Sequence, residues 1–362
     1  MNLRIDKEGK SPMYIQLYEQ LKEEITDGTY LFGDRLPSKR TVASETGISV
    51  IPVEHAYTLL CEEGYAEARL RSGYYVMYKS DDFISTYAHS DIPHAGQIRT
   101  HGVSSAVFPF PALAKKMRKV TLDYGDRLLI KSPNRGCPEL RSAICAYLRR
   151  SNGIAARPEQ VIIGSGAEYF YSLLAQFFAE YRLIAAEDPS YEKIAKVYRA
   201  NGIRTDMLKI GTDGITSSEL KRTDARILHV TPFNSYPSGI SADANKRREY
   251  IKWARERGGY IIEDNYDSEL TVSKKIDDTL FASCERVIYL NTFSKTIAPS
   301  LRIGYMILPE ELLESFEKKL GFYSCTVPVF EQYVIAELIS CGDYERHINR
   351  VRRKRRLELQ SR

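Results

Sequence analysis

Lys295 ends the run Asn291-Thr292-Phe293-Ser294-Lys295, which follows the apolar stretch Val287-Ile288-Tyr289-Leu290 and precedes Pro299 and Arg302. A lysine in a partly desolvated site with cationic neighbours gives up its proton more readily, and its free amine condenses with an aldehyde to form a Schiff base. Thr292, Ser294 and Arg302 offer two hydroxyls and a guanidinium whose fork matches a phosphate. A lysine in a loop is otherwise solvated surface; the phosphate-type donors around it argue for chemistry. Upstream, Tyr260-Ile261-Ile262 leads into Glu263-Asp264-Asn265-Tyr266-Asp267. A carboxylate at that strand end can keep a pyridine nitrogen protonated, so that the ring accepts electrons; it could equally cap a helix or bind a metal. Further upstream, Val161-Ile162-Ile163 runs into Gly164-Ser165-Gly166-Ala167 and a helical pattern. Backbone N–H groups and a hydroxyl at such a helix start face an anion, although glycine turns of this kind also serve purely structural ends.

All three groups fall just after apolar runs, so strands must carry them. Runs at 161–163, 182–186, 226–230, 260–262 and 287–290 are bounded by Gly, Pro or Asp and alternate with helical patterns. This alternation predicts an α/β domain with a largely parallel sheet, and open sheets of that type gather ligand-binding groups beyond their strand ends.

The first eighty residues follow a different pattern. Tyr14, Leu17, Leu21 and Ile25 lie at helical spacing, with Gly28 as the stop. After Leu36-Pro37, Ser38 can cap a short helix over 39–45, and Gly47 can end it. A second helix starts near Ser49, tolerates Pro52 in its first turn, turns Val53, Ala56, Tyr57 and Leu60 inward and stops at Gly64. Two short helices joined by a glycine turn make a helix-turn-helix candidate. Residues 65–68 and 74–78 then read as a hairpin wing around Arg69-Leu70-Arg71-Ser72-Gly73. The domains expected are 1–79, a polar linker at 80–100 without sustained periodicity, and 101–362.

The chain has 362 residues, 43% apolar and 27% charged, the composition of a globular protein with room for more than one domain. It lacks the roughly 18 uninterrupted apolar residues needed to cross a bilayer, and its polar start is unlike a signal peptide, so a cytoplasmic location without a membrane partner is expected. Cys61, Cys137, Cys145, Cys284, Cys325 and Cys341 are scattered, without CxxC or metal-ligand spacing, which predicts reduced structural thiols and no metal. The net charge of +5 is not an argument for nucleic acid in the N-terminal part, because residues 1–80 hold ten Lys/Arg against twelve Asp/Glu. The basic excess sits at 346–362, with eight Lys/Arg against one Glu, and reads as the solvated face of a helix.

The combined motifs resemble a known family. Thr292-Phe293-Ser294-Lys295 through Pro299, Leu301-Arg302 and Gly304-Tyr305, with Ile262-Glu263-Asp264 and Tyr266-Asp267-Ser268-Glu269, is similar to the cofactor signature of MocR-type regulators. These are GntR-type winged helices fused to a class I aminotransferase domain. Arg135-Gly136, Pro138-Glu139-Leu140-Arg141, Glu187-Asp188-Pro189-Ser190-Tyr191, Thr231-Pro232 and Pro237-Ser238-Gly239 follow in the same order. The resemblance implies an N-terminal winged helix-turn-helix, an α/β fold-type I aminotransferase-like domain and bound pyridoxal phosphate. It implies Lys295 as the Schiff-base lysine, Asp264 on the pyridine nitrogen, Tyr266 on the ring hydroxyl and Tyr191 stacked on the ring. Ser165, Gly166, Ala167, Thr292, Ser294 and Arg302 would surround the phosphate.

At the N-terminus, Leu36-Pro37-Ser38-Lys39-Arg40, Gly47-Ile48-Ser49, Glu63-Gly64-Tyr65 and Ser72-Gly73-Tyr74-Tyr75-Val76 resemble the GntR winged helix. The helix starting near Ser49 would then enter the major groove of double-stranded DNA, with Lys39, Arg40, Arg69 and Arg71 on phosphates. Val50-Ile51-Pro52 stands where many relatives carry Arg-x-Thr, which removes a strong base-reading side chain. Tyr236 stands before Pro237 where catalytic aminotransferases usually carry Asn, and the chain reaches Arg362 within what the resemblance makes the first helix of a small C-terminal domain, expected to be incomplete. The function expected is a DNA-binding transcription regulator that senses an amino acid, an amine or the cofactor itself, as a homodimer. A working aminotransferase with an attached DNA-binding domain, or a shortened copy that no longer senses ligand, are the alternatives.

Overall fold

The computed structural model describes residues 3, 5, 6, 11–70, 72–78, 108–266, 268–271 and 279–360. The expected linker at 80–100 and Arg71 lie outside these residues. Two compact units are present, one of Met1–Ser104 and Pro109–Lys119, the other of Ser105–Phe108 and Val120–Arg362.

In the first unit, α1 (Met13–Thr26), α2 (Lys39–Thr46) and α3 (Val50–Glu62) are followed by β1 (Ala66–Arg69) and β2 (Gly73–Val76). Their order and signals follow from local chemistry. Ser38 Oγ accepts the Thr41 N–H at 3.1 Å and caps α2, and Gly47 closes that helix at φ 65°, a conformation glycine adopts without a Cβ penalty. Leu17, Leu21 and Ile25 of α1 meet Val42 of α2 and Val53, Ala56, Tyr57 and Leu60 of α3 in one apolar core. The Tyr57 hydroxyl donates to Pro37 O at 2.7 Å, satisfying a polar group that would be costly to bury alone. The two strands pair antiparallel, Ala66 opposite Val76 and Arg69 opposite Gly73, so the hairpin begins one residue later than its aromatic pattern suggests. Phe110–Tyr124 forms α4.

The second unit continues with α5 (Pro138–Asn152), β3 (Val161–Gly164), α6 (Ala167–Phe177), β4 (Leu183–Asp188), α7 (Glu192–Ala200), β5 (Arg204–Lys209), α8 (Ser217–Arg222), β6 (Ile227–Val230) and α9 (Ala244–Arg257). It closes with β7 (Tyr260–Asp264), α10 (Leu280–Ser283), β8 (Val287–Thr292), β9 (Gly304–Ile307), α11 (Glu310–Leu320), α12 (Val329–Ser340) and α13 (Asp343–Gln360). The seven strands form one sheet in the order β3-β9-β8-β7-β6-β4-β5. All neighbours are parallel except β9, which runs antiparallel to both β3 and β8. Because side chains alternate across a strand, Ile262 and Ile288 enter an apolar layer with Phe170 and Leu174, while Ile261 and Val287 enter another with Tyr250 and Trp253. Burial on both faces explains the unbroken apolar runs in the sequence.

The basic C-terminal run departs from a purely solvated helix face. It is helical, but Tyr344, Ile348 and Val351 are buried, and Arg352 Nε donates to Glu269 O at 2.6 Å while Arg355 donates to Leu270 O at 3.1 Å. Two of its cations are therefore spent on backbone carbonyls. No helix among the described residues is long and apolar enough to cross a membrane.

Candidate functional site

The strand ends carry the candidate cofactor-binding residues. β9 is the organising element: Gly304 pairs with Gly164 on one side and with Thr292 on the other. That register draws the Ser165-Gly166-Ala167 turn after β3 toward the Thr292-Phe293-Ser294-Lys295 turn after β8. Gly304 has to be glycine here, since a Cβ would stand 2.9 Å from Asn291 O and 3.1 Å from the Thr292 methyl carbon. Arg302, just before β9, takes φ 48° and lays its guanidinium against the α6 start, where a Cβ on Gly166 would meet Nη2 at 2.8 Å. Gly166 itself sits at φ 89°. The absence of a Cβ at Gly166 thus lets the guanidinium lie directly against the backbone of the turn.

Ser165 N donates to Thr326 Oγ1 at 3.1 Å, Ala167 opens α6, and Ser294 Oγ is buried without a hydrogen-bond partner among the described residues. Arg302 Nη2 donates to Glu168 Oε2 at 2.5 Å, and Lys193 Nζ donates to Glu168 Oε1 at 2.9 Å. Burial alone would raise the Glu168 carboxyl, but hydrogen bonds from Lys193, its own backbone amide and Arg302 outweigh it and bring it down to about 2. Glu168, the partner of Arg302, was not singled out from the sequence; its signal was an acid in the first turn of a helix.

Asp264 closes β7, 2% exposed, opposite Leu290 of β8. The Tyr171 hydroxyl hydrogen-bonds to Asp264 Oδ2, and His229 Nε2 lies 3.6 Å from the same oxygen. The other ring nitrogen of His229 is 2.7 Å from the Tyr198 hydroxyl. Burial, then the Asp264 charge, pushes Tyr171 well above the usual phenol range, so it stays a neutral donor. Oδ1 of Asp264 is buried and has no hydrogen-bond partner among the described residues. One oxygen accepts from the Tyr171 hydroxyl and the other is left for a further donor, as a protonated pyridine nitrogen would require.

Lys295 Nζ stands 4.1 Å from the centroid of the Tyr266 ring, and the Tyr266 hydroxyl donates to Asn234 O at 3.0 Å. Tyr191 precedes α7, half-buried, with its ring 6.4 Å from that of Tyr236, which is 58% exposed. The loop carrying Asn234 and Tyr236 is held from beneath. Ser235 Oγ donates to the buried Glu187 carboxylate at 2.7 Å.

Burial pushes Glu187 up to about 7 from an ordinary value of 4.5. The native chain therefore keeps a proton between about 4.5 and about 7 that the unfolded chain has released, so stability falls as pH rises through that window and levels above it. Glu187→Gln is expected to remove this slope, gaining on the order of 3 kcal/mol relative to wild type between pH 5 and pH 8, as urea unfolding at the two pH values would read.

In the first unit the proposed DNA-facing residues are spread over three elements. Lys39 opens α2 and donates to Glu54 Oε1 of α3 at 2.6 Å. Arg40 is exposed beside it, and Ser49 is the exposed residue before α3, its side chain making no cap hydrogen bond. Arg69 ends β1 with its guanidinium 4.4 Å from the centroid of the Tyr75 ring. All six cysteines are free thiols, and no group of ligands suited to a metal occurs among the described residues.

The family model described as aminotransferase class I and II matches residues 100–359, and that of bacterial regulatory proteins of the gntR family matches residues 13–76. The HTH-type transcriptional regulator YdeL of Bacillus subtilis is 36% identical over 353 residues, 94% of this chain and 76% of that protein. The probable rhizopine catabolism regulatory protein MocR of Rhizobium meliloti is 29% identical, over 97% of this chain and 76% of its own length. Among solved structures, an archaeal alanine:glyoxylate aminotransferase shares the fold at a TM-score of 0.62 and 22% identity, covering 67% of this chain and 63% of that one. The chain belongs to the MocR-type HTH transcriptional regulators, in which a GntR winged helix and a class I aminotransferase domain with pyridoxal phosphate as its cofactor occupy one polypeptide.

Proposed function

We propose that the protein binds double-stranded DNA through its winged helix and alters that binding according to the state of pyridoxal phosphate at Lys295. The observation that carries this reading is the unpartnered Oδ1 of Asp264 at the end of β7, one paired strand away from the turn that carries Lys295. A buried carboxylate oxygen without a donor is costly, and the cofactor's ring nitrogen supplies the donor. When bound, the group contributes an electron-accepting ring and an aldehyde reactive toward amines.

The chain's own residues then divide the work. Lys295 supplies the amine, Asp264 holds a proton on the ring nitrogen through Oδ1, and the Tyr171 hydroxyl fixes the rotation of that carboxylate. Tyr266 and Tyr191 bound the ring. Ser165, Gly166, Ala167, Thr292, Ser294 and Arg302 hold the phosphate. An amino acid or amine that competes with Lys295, or the cofactor itself, is the effector; it regulates only if it prefers one arrangement of the DNA-binding domains. A homodimer would present two recognition helices to paired half-sites in the cytoplasm. Lys39, Arg40 and Arg69 contact phosphates, with Arg71 of the wing assigned the same role from sequence.

The same residues could support transamination. The exposed Tyr236 beside Pro237, in place of a side chain that would engage the ring hydroxyl, favours regulation over turnover. Sustained product formation from an amino-acid donor and a keto acid would overturn that preference. DNA affinity measured with and without pyridoxal phosphate tests the proposal itself, and coupling between the two is the expected result.

A further inference from the structure

The recognition helix α3 presents an apolar outer face at its start. Val50 is 40% exposed and Ile51 is 65% exposed, while Val53, Ala56, Tyr57 and Leu60 on the opposite side are buried in the core of the unit. The polar side chains that share the outer face have partners within the protein. Glu54 accepts from Lys39 at 2.6 Å, Thr58 Oγ1 donates to Glu54 O at 2.9 Å, and the His55 ring stands edge-on to Tyr14 at 5.8 Å. The two side chains that project from the first turn with nothing of their own polarity to satisfy are Val50 and Ile51. Both are β-branched, and in a helix each is held to essentially one χ1 rotamer, so they form a stiff surface.

The major groove offers hydrogen-bonding edges at every base pair but one apolar group, the 5-methyl of thymine. The same unit carries exposed cations on its other elements, Arg40 near the start of α2 and Arg69 at the end of β1, as phosphate contacts around a base-reading helix require. We infer that Val50 and Ile51 are the base-reading residues of this protein and that they select thymine by packing on its 5-methyl group. The inference rests on the DNA-binding reading and adds to it the chemistry of specificity: hydrophobic methyl contact in place of an arginine fork on guanine. Lys39 is then a phosphate contact whose pairing to Glu54 also keeps that carboxylate from repelling the backbone.

Duplexes enriched from a random library by the full-length protein loaded with pyridoxal phosphate supply the test. Each thymine of the enriched site is replaced in turn by deoxyuridine, which lacks only the methyl. Wild type is expected to lose roughly fourfold in affinity for each methyl it buries, at one or two positions per half-site. Ile51→Ala and Val50→Ala, both at exposed positions, are expected to bring the thymine-to-uracil affinity ratio at their own position to about one. Affinity that is indifferent to deoxyuridine at every position overturns the inference, as does a wild-type ratio retained by both variants. A changed oligomeric state in the variants with an unchanged ratio would mark the face as a protein interface and overturn it too. Failure to enrich any duplex would instead sink the DNA-binding reading on which the inference stands.

Discussion

Lys295→Ala is expected to abolish all borohydride-fixable pyridoxal phosphate and the visible absorbance that accompanies it. Wild type has an amine within 4.1 Å of the Tyr266 ring centroid, on a turn fixed by β8 and by the hydrogen bond between Phe293 N and Ile303 O at 2.9 Å. Alanine removes the amine that would bond covalently to an aldehyde and keeps a side chain compatible with that turn's backbone. The contacts of Asp264 and the phosphate set remain, so weak, dialysable binding should persist. Lys295→Arg, which keeps the charge but cannot form the bond, should behave as alanine does. Retention of fixable cofactor by either variant would move the covalent link to another lysine.

The second large effect concerns the phosphate. Arg302→Ala should weaken pyridoxal phosphate by roughly tenfold to a hundredfold, the range for a charge-assisted hydrogen bond, and leave pyridoxal, which has no phosphate, nearly unaffected. The guanidinium is held by Glu168 at 2.5 Å, and a phosphate would have to share it or displace that carboxylate. Glu168→Gln should therefore act in the opposite direction and tighten pyridoxal phosphate, because the competing charge is gone while the side-chain length is kept. Equal losses for the phosphorylated and unphosphorylated forms in Arg302→Ala would show that Arg302 supports the turn and not the anion. Isothermal titration with the two ligands separates these outcomes.

How far the sequence could reach is visible in particular residues. The positions after the five apolar runs fell at strand ends because a doubly covered sheet needs uninterrupted apolar strands, and that requirement writes itself into composition. Two strands escaped. β5, Arg-Thr-Asp-Met-Leu-Lys at 204–209, is an edge strand whose residues are mostly partly exposed, so it lacks an apolar run. β9 is four residues long and lies inside the cofactor signature, where Gly304 reads as a turn; only its pairing with both Gly164 and Thr292 gives it a role.

Non-local neighbours were hidden for a related reason. His229 is one polar residue inside the apolar strand β6, and it reaches Asp264 because His229 pairs with Ile262, two residues earlier on β7. Tyr171 lies inside α6, 93 positions from the carboxylate it bonds. Neither relation has a period or a spacing to betray it. In the first unit the local signals sufficed, since capping by Ser38, the left-handed Gly47 and the spacing of Val53, Ala56, Tyr57 and Leu60 are properties of short segments.

The claim that joins the two units is coupling, and fluorescence anisotropy of an enriched duplex addresses it most directly. The duplex is titrated with wild type and with Lys295→Ala, each without ligand, with pyridoxal phosphate, and with pyridoxal phosphate plus amino acids. Wild type should show a change in DNA affinity of roughly fivefold or more on adding the cofactor or the amino acid, and Lys295→Ala should show none. Superimposable wild-type curves under all three conditions would contradict the account, leaving a DNA-binding protein whose second unit has no say in where it binds.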